Sequence, residues 1–448
     1  MLTPANAAER AADLIARARK SGADAADTVY SGNASSQVQV RLGALEDVEG
    51  SEGEDMALRV FVGARSASSS TSDLSPRALD ALADRCVAMA REAPEDPYAG
   101  LADAGLLLDA EVPSLDMFDS THVTPSELRA LAEAAEEAAR TVPGVTNSEG
   151  GSASQSKSTF ALATSAGFAR GYEGSSFGIS ASVLAGSGSG MQRDYAHHSA
   201  RHFAALEAPD AIGTRAGNRA VARLNPVKLA SGPMPVVFDP RAGSSLLGHL
   251  AGAIAGAAIA RKTSFLIDRF GEMVFSAGVS VIDDPLRPRG LRSRPFDGEG
   301  LPTRRTTIIE DGRLTGWLVD SASGRQLGLP PTGHAARGGG GSPGTSVTNL
   351  YMAAGTVSPD ALMADIGLGV YITELIGMGV NGLTGDYSRG ASGFVIRNGR
   401  IAEPVAEITI AGNLKDMFAA LTPAADLAMR YAVNVPTLRV EGMTIAGD

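Results

Sequence analysis

The chain has 448 residues, 44% hydrophobic and 20% charged, a composition typical of globular proteins. Its 50 acidic residues outnumber 39 basic ones, which gives a net charge of −11, and no cluster of Lys and Arg forms the basic stripe that phosphate binding requires. A nucleic-acid partner is therefore disfavoured, and the length predicts two or three domains.

Cysteine content and hydropathy indicate the cellular compartment in which the protein is expected. Cys86 is the single cysteine, so no intramolecular disulfide can form. Residues 1–20 lack the apolar segment of a signal peptide and predict an amphipathic helix. The longest apolar run, residues 246–260, is rich in glycine and too short to span a membrane. We therefore expect a cytoplasmic protein without a membrane partner.

Residues 1–95 form the first predicted unit, an N-terminal α/β domain. Stretches of alternating polarity, such as MALRVFVGARSASSS, have the period of strands. The segment SDLSPRALDALADRCVAMAREA opens with a helix start signal and continues at helical spacing, with Cys86 as a small core residue. The next segment, EDPYAGLADAG, contains Pro and Gly and predicts a linker.

Residues 96–225 form a predicted middle domain of strands and helices. An Ala- and Glu-rich helix, VTPSELRALAEAAEEAARTVPG, closes at Pro-Gly. Residues 147–190 predict a meander of short strands with small side chains, because their apolar residues are spaced by two. The following stretch, MQRDYAHHSARHFAALEAPDAIGTRAGNRAVARL, has helical spacing and predicts a return to helix.

Residues 226–448 form the predicted C-terminal domain, rich in antiparallel strands around one glycine-striped helix. A strand, PMPVVF, ends in an Asp-Pro turn that leads into this helix. The dipeptides Asp311-Gly312 and Asn398-Gly399 suit type I′ turns, which need positive φ at both central residues, and they predict two hairpins. The fold class predicted for the whole chain is α+β.

The predicted helix of the third unit lies within GSSLLGHLAGAIAGAAIARK and carries Gly248, Gly252 and Gly256 on one face. Glycine inside a helix costs about 0.5–1 kcal/mol relative to alanine, so three in line predict close approach of another backbone. Ser244 or Ser245 is placed to cap the N-terminus of this helix.

Beyond these local patterns, the sequence resembles the TldD/TldE (PmbA) peptidase family, and the TldE/PmbA half of it more than the TldD half. The matching stretches cover nearly the whole chain; they are RLGALEDVEG, SSSTSDLSP, EDPYAGLAD, MQRDYAHHSARH, DDPLRPRGLRSRPFDGEG, TGHAARGGGGSPGTSVTNLYM, TGDYSRGASGF and AEITIAGNLKDM. The resemblance implies a dimer in which C-terminal domains enclose a chamber, with a TldD-like catalytic subunit as the partner.

The catalytic half of this family carries His-Glu-x-x-x-His on the helix that corresponds to residues 244–261, with a further cysteine ligand from the C-terminal domain. By this resemblance Ser244 stands at the first His position, Ser245 at the Glu position and His249 at the last His position. A hydroxyl is a poor zinc ligand and cannot replace a carboxylate base at neutral pH. We therefore expect no catalytic residue, metal or cofactor in this chain, and zinc in the partner subunit.

A second histidine pair and a glycine loop are further candidates for binding. His198 and His202 lie four apart on the predicted helix of the middle domain, a spacing that suits a metal pair, but the residues around them favour a solvated face. The loop in HAARGGGGSPG offers bare backbone along which an extended peptide can lie, with His334 as a polar contact beside it. The loop glycines are Gly338, Gly339, Gly340 and Gly341.

The function expected from the resemblance is that of a non-catalytic, TldE/PmbA-type subunit in a heterodimeric zinc metallopeptidase that degrades or processes unfolded and modified peptides. The alternative is a peptide-binding or chaperone-like homodimer with no peptidase activity. A nucleic-acid-linked regulator, suggested by the family's older name of modulator of DNA gyrase, is disfavoured by the acidic charge.

Overall fold

The structure is a computed structural model that describes residues 1–338 and 341–447. Within these ranges no helix has the length and apolar character needed to cross a membrane. The helices are α1 (Pro4–Lys20), α2 (Pro76–Glu92), α3 (Pro125–Arg140), α4 (Pro209–Ala222), α5 (Pro240–Ala253), α6 (Gly256–Ala260), α7 (Ser321–Leu327), α8 (Pro359–Met363) and α9 (Leu414–Ala419).

The strands supply most of the framework. They are β1 (Ala25–Arg41), β2 (Ala44–Val62), β3 (Arg65–Thr71), β4 (Val145–Thr164), β5 (Ala169–Ala185), β6 (Gln192–Ala200), β7 (Gly232–Phe238), β8 (Val281–Asp283), β9 (Thr306–Glu310), β10 (Arg313–Leu314), β11 (Ala335–Ala336), β12 (Gly344–Thr345), β13 (Leu350–Met352), β14 (Leu368–Ile376), β15 (Asp386–Arg397), β16 (Arg400–Asn413), β17 (Leu421–Pro423), β18 (Val433–Asn434) and β19 (Leu438–Ala446). The predicted α+β class is confirmed.

Three long helices begin at the same local signal. Thr3, Ser75 and Thr124 each stand before a proline and accept a hydrogen bond from a backbone N–H in the first turn. Proline at the first helical position costs no hydrogen bond, because that N–H has no partner inside the helix. The helix start predicted at SDLSP is therefore confirmed.

The first two predicted domains share one antiparallel sheet with the order β3-β2-β1-β4-β5-β6. Strands β4 and β5 are 20 and 17 residues long, so the prediction of short strands across residues 147–190 is wrong. Alternation of small side chains indicates a strand but says nothing of its length. The boundaries 1–95, 96–225 and 226–448 stay predictions, and the sheet runs across the first of them.

The stretch that follows residue 191 is partly strand, contrary to its predicted helical spacing. Residues 192–200 form β6, which pairs with β5 at the edge of the sheet. After one 3-10 turn at Phe203–Ala205, α-helix begins only at Pro209. His198 and His202 therefore do not share a helix face: the first lies in the strand and the second follows it. The pairing to the preceding strand β5 involves residues beyond the spacing of three and four on which a helical pattern rests, and it overrides that pattern.

The two faces of this sheet have different neighbours. Helices α1 to α4 cover one face, where side chains such as Tyr30 and Val38 are buried against them. The other face buries Val29 and Leu162 against Phe296 of the C-terminal domain. Successive side chains of a strand point to opposite faces of the sheet, so Tyr30 faces the helices and its neighbour Val29 faces the C-terminal domain.

The C-terminal domain is built on a ring of strands. Its sheet has the order β16-β15-β14-β7-β19-β17. Because residues 444–446 of β19 also pair with β16, the five strands from β16 to β19 in this order form a closed ring. Only β14 and β7 run parallel among these neighbours. A second sheet of this domain has the order β10-β9-β8-β13-β18. Helix α5 packs between the ring and this sheet, because it contacts β7 and β14 of the ring and β13 and β18 of the sheet. The ring therefore positions the helix that carries His249.

Both predicted hairpins of this domain are confirmed. Asp311 and Gly312 have φ values of 46° and 80°, and Asn398 and Gly399 have φ values of 49° and 78°. Each pair joins two antiparallel strands, β9 with β10 and β15 with β16. Positive φ at both central residues is what a type I′ turn requires.

Candidate functional site

Helix α5 begins earlier than its serines suggest. Asp239 is the N-cap, with its carboxylate accepting from the N–H of Arg241, and Pro240 is the first helical residue. The prediction that Ser244 or Ser245 caps this helix is therefore wrong. Asp239 supplies the cap and Pro240 the first helical residue, so both serines lie inside the helix.

The two serine hydroxyls are bonded within the helix. Oγ of Ser244 donates to the carbonyl oxygen of Arg241 at 2.9 Å, and Oγ of Ser245 donates to that of Ala242 at 2.7 Å. Back-bonding of this kind is the usual arrangement for serine inside a helix. The positions that the resemblance aligns with His and Glu of the catalytic motif thus carry hydroxyls that hydrogen-bond to the helix backbone.

The three glycines of the helix have different surroundings. A Cβ added at Gly256 would lie 2.5 Å from Oγ of Ser323 and 2.9 Å from the carbonyl oxygen of Leu318, so the predicted close approach is confirmed there. A Cβ at Gly248 or Gly252 meets no atom within 4 Å, and the close approach predicted for these two is wrong. Their bare surface faces a cavity.

That cavity, of about 360 Å³, lies beside α5 and beneath the segment that joins β14 to β15. Its wall includes Gly248, His249, Gly252, Phe265, Met378 and Arg389. Burial, and after it the positive charge of Arg389, lowers the pKa of His249 below its usual value of 6.5. The imidazole is therefore neutral at neutral pH.

His249 packs against Tyr387 of β15. The two ring centroids are 6.0 Å apart and the planes meet at 82°. Nε2 of His249 and the phenol oxygen of Tyr387 are both buried, and neither has a hydrogen-bond partner in the described chain. Burial raises the pKa of Tyr387 to about 12, so its hydroxyl stays protonated.

The donors around His249 do not fit a zinc ion. Zinc in a catalytic site takes three protein ligands from Cys, His, Asp or Glu. Across the described ranges, no three side chains of these types lie together as such a site requires. Cys86 is buried in α2 under the first sheet, where burial raises the pKa of its thiol to about 11. One imidazole with two hydroxyls that hydrogen-bond to backbone is a set that zinc does not select.

His334, the predicted polar contact for a substrate, is buried. Its Nδ1 lies 2.9 Å from Oγ1 of Thr332, and its Nε2 lies 3.5 Å from Oδ2 of Asp283. The same carboxylate accepts from the N–H and the hydroxyl of Thr348. Both ring nitrogens thus face groups of this chain, and contact with a substrate stays a prediction.

The described ends of the predicted glycine loop, Gly338 and Gly341, lie between β11 and β12, which pair with each other. Gly338 and Gly341 are exposed, and an added Cβ at either would meet no atom within 4 Å. Gly339 and Gly340 lie outside the described residues. Next to the loop, Arg337 reaches back to pair with Asp27 of β1. The substrate role of the loop stays a prediction.

The histidines considered as a metal pair have separate partners. Nδ1 of His198 accepts from the N–H of Glu207 at 3.1 Å. Nε2 of His202 lies 3.0 Å from the carbonyl oxygen of Asp116. Each ring is thus held by its own neighbour.

A second cavity, of about 610 Å³, lies between α4 and the C-terminal domain and is absent from the sequence predictions. Arg215 and Arg219 reach it from one face of α4, and Arg241 reaches it from α5. Arg241 pairs with Asp194 at 3.0 Å, while Arg215 pairs with Glu207 at 2.7 Å. The spacing of four between Arg215 and Arg219 is a sequence signal, but the Asp194 partner of Arg241 lies 47 residues away in the chain.

Fold and sequence together define a class of protein. Three family models match in order: PmbA/TldA metallopeptidase domain 1 over residues 26–90, the central domain over 118–224 and the C-terminal domain over 231–447. The chain belongs to the PmbA/TldD family of metallopeptidases.

Individual relatives agree along nearly the whole length. The metalloprotease PmbA of Escherichia coli O157:H7 is 38% identical over 95% of this chain and 93% of its own. A crystal structure from Bacteroides thetaiotaomicron, described as a candidate modulator of DNA gyrase, has a TM-score of 0.90 at 25% identity over 98% of each chain. TldE of Thermococcus kodakarensis has the same fold, with a TM-score of 0.82 at 20% identity over 98% of this chain and 100% of its own.

Proposed function

We propose that this chain is the non-catalytic, TldE/PmbA-type subunit of a heterodimeric zinc metallopeptidase. The observation that carries the proposal is the state of the motif helix: Ser244 and Ser245 hydrogen-bond to the helix backbone, and His249 is the single zinc-type ligand left there. A water-activating site needs three such ligands and a general base. The hydrolytic site is therefore assigned to a TldD-like partner that carries His-Glu-x-x-x-His.

Exposed apolar side chains near the cavity support a partner subunit. Ile376 and Leu383 are each 58% exposed, and Met378 is 89% exposed. Ile376 is the last residue of β14, and Met378 and Leu383 lie in the segment between β14 and β15 that borders the cavity. Apolar side chains grouped in this way are typical of a surface that another protein covers.

Two features support the proposed substrate class. The cavity beside α5 and the bare backbone at Gly338 and Gly341 suit a flexible chain that can present one residue at a time. The proposed substrates are unfolded and modified peptides in the cytoplasm. This chain contributes chamber wall and substrate contacts, and the partner contributes the zinc.

The test compares the chain alone with the chain mixed with its TldD-like partner. Zinc content is measured by mass spectrometry and cleavage by release of a fluorophore from a flexible peptide. We expect the isolated chain to hold no stoichiometric zinc and to cleave nothing, and the pair to gain both. In the pair, His249→Ala should leave the zinc content unchanged. Zinc-dependent cleavage by the isolated chain would refute the proposal.

The same experiment decides on the second function, that of a peptide-binding or chaperone-like homodimer. That function requires a stable dimer of this chain alone, measured by light scattering. It also requires peptide binding with no cleavage whether or not the TldD-like protein is added.

A further inference from the structure

The cavity beside His249 contains an unmatched positive charge. Arg389 is the one charged side chain in the part of its wall that the structure describes. Its Nε donates to the carbonyl oxygen of Ile376 at 3.3 Å, and among the described residues no carboxylate lies within 4.0 Å of the guanidinium. A guanidinium without an anion is suited to bind a carboxylate, since it offers several donors in one plane.

His249 adds an unused hydrogen-bonding atom to the same wall. Its Nε2 is buried and has no partner in the described chain. A buried polar atom without a partner destabilises the protein, and a ligand that supplies the partner removes this cost. Because the ring is neutral at neutral pH, Nε2 can donate or accept according to the tautomer.

Apart from Thr263, the rest of the described wall is apolar and open. Gly248 and Gly252 leave one face of α5 without side chains, and a Cβ at either position meets no atom within 4 Å. Phe265, Met378 and Leu414 contribute apolar surface around this face. A volume of about 360 Å³ is near the lower end of ligand pockets, roughly 300–1,000 Å³, and it suits one residue with a large apolar side chain.

We propose that this cavity binds the carboxyl-terminal residue of a peptide, with its apolar side chain against Gly248 and Gly252 and its carboxylate on the guanidinium of Arg389. The inference rests on the proposed function, for which it names the end of the substrate that this chain holds. A free fatty acid offers the same chemistry, an apolar group with a carboxylate, and the experiment includes it.

Binding is measured on the purified chain by fluorescence anisotropy, with three N-terminally labelled peptides that differ at the last residue. One ends in phenylalanine with a free carboxylate, one in phenylalanine amide and one in serine with a free carboxylate. We expect the first to bind at least about tenfold more tightly than the other two, because only it uses both the charge and the apolar wall. Equal affinity for acid and amide would overturn the proposal.

Competition identifies the source of the carboxylate. Unlabelled N-acetylphenylalanine and decanoate are each titrated against the bound peptide. Displacement at lower concentrations of N-acetylphenylalanine supports a peptide end. Displacement at lower concentrations of decanoate would overturn the assignment to a peptide.

Substitutions localise the site. Arg389→Gln should remove the preference for the acid over the amide, whereas Arg397→Gln, on the same strand in an exposed pair with Glu403, should keep it. Gly252→Leu should fill the cavity and reduce binding at least about tenfold, and it should fold well because leucine is the better helix former. Unchanged acid preference in Arg389→Gln would place the site elsewhere.

The outcomes separate this inference from the function on which it rests. Cleavage by the pair with no acid preference in this chain would overturn the inference alone. Acid-specific binding by this chain, with no zinc or cleavage gained on adding the partner, would overturn the proposed function alone.

Discussion

His249 and Tyr387 meet edge to face, with centroids 6.0 Å apart, and each keeps a buried polar atom that has no hydrogen-bond partner in the described chain. By the resemblance to the family's catalytic half, His249 stands at the position of a metal ligand. Here the ring packs against a phenol instead. The imidazole is thus part of an aromatic contact in the wall of the cavity.

Tyr387→Phe should stabilise the protein. The substitution removes a buried hydroxyl that has no partner and keeps the ring contact with His249, so the free energy of unfolding should rise by about 1 kcal/mol. Tyr30→Phe is the matched control, because the Tyr30 hydroxyl accepts from the N–H of Leu2 and donates to Glu54, and its loss should cost about 1 kcal/mol. Urea denaturation measures both. A loss of stability in Tyr387→Phe would show that the hydroxyl has a partner.

Alanine in place of two of the helix glycines should have opposite effects. Gly248→Ala should raise the free energy of unfolding by about 0.5–1 kcal/mol, since the new Cβ meets nothing within 4 Å. Gly256→Ala should lower it, because the Cβ would lie 2.5 Å from Ser323 and 2.9 Å from the carbonyl oxygen of Leu318. Thermal denaturation of both variants provides the comparison. Equal shifts of the two melting temperatures would contradict the different surroundings.

Restoring the motif residues should not restore a zinc site. With Ser244→His and Ser245→Glu together, residues 244 and 249 would lie about 140° apart around a helix of ~3.6 residues per turn, and α5 is unbroken from Pro240 to Ala253. A third ligand would still be missing. Metal analysis after dialysis should find no stoichiometric zinc, with circular dichroism as the check on folding. One tightly held zinc per chain would refute this prediction.

Glu299 should make stability fall as pH rises. Burial raises the pKa of Glu299 to about 7 from its ordinary 4.5, against the lowering effect of the hydrogen bonds from Ser321. Between these values the folded chain keeps a proton that the unfolded chain releases, so the free energy of unfolding declines with rising pH, by on the order of 3 kcal/mol. Glu299→Gln should flatten this decline.

Urea denaturation from about pH 5 to about pH 8 measures the Glu299 effect as the difference between wild type and variant. Glu310→Gln, at an exposed position at the end of β9, is the control and should retain the wild-type slope. If Glu299→Gln declines as steeply as wild type, another group is responsible.

Local signals in the sequence were enough to predict the elements whose ends they define. Ser75 before Pro76 predicts the start of α2, and Asp311-Gly312 predicts a hairpin, because each conformation depends on adjacent residues. Contacts between distant residues decide the rest. The helix predicted within GSSLLGHLAGAIAGAAIARK is interrupted after Ala253. The reason is that the N–H of Leu318 donates to the carbonyl oxygen of Ile254, and its carbonyl oxygen accepts from the N–H of Gly256.

The candidate site was predictable only in part for the same reason. The resemblance assigns Ser244, Ser245 and His249 to motif positions on one helix, and the structure places His249 in a cavity wall. Arg389 lies in the stretch TGDYSRGASGF, which carries the resemblance, yet nothing in that stretch says that its side chain reaches α5. The register of β15 and the ring of strands bring it there.

The ring of five strands has a consequence for how the chain is made. Strand β7, near the middle of the chain, cannot gain its β19 neighbour until residues 438–445 have left the ribosome, and the same late strand completes β16. The first sheet contains residues up to 200 and needs nothing beyond them for its pairing. The amino-terminal half can therefore assemble during translation, whereas the ring closes only after the final strand has emerged. The apolar faces of β7 and β16 stay exposed until then.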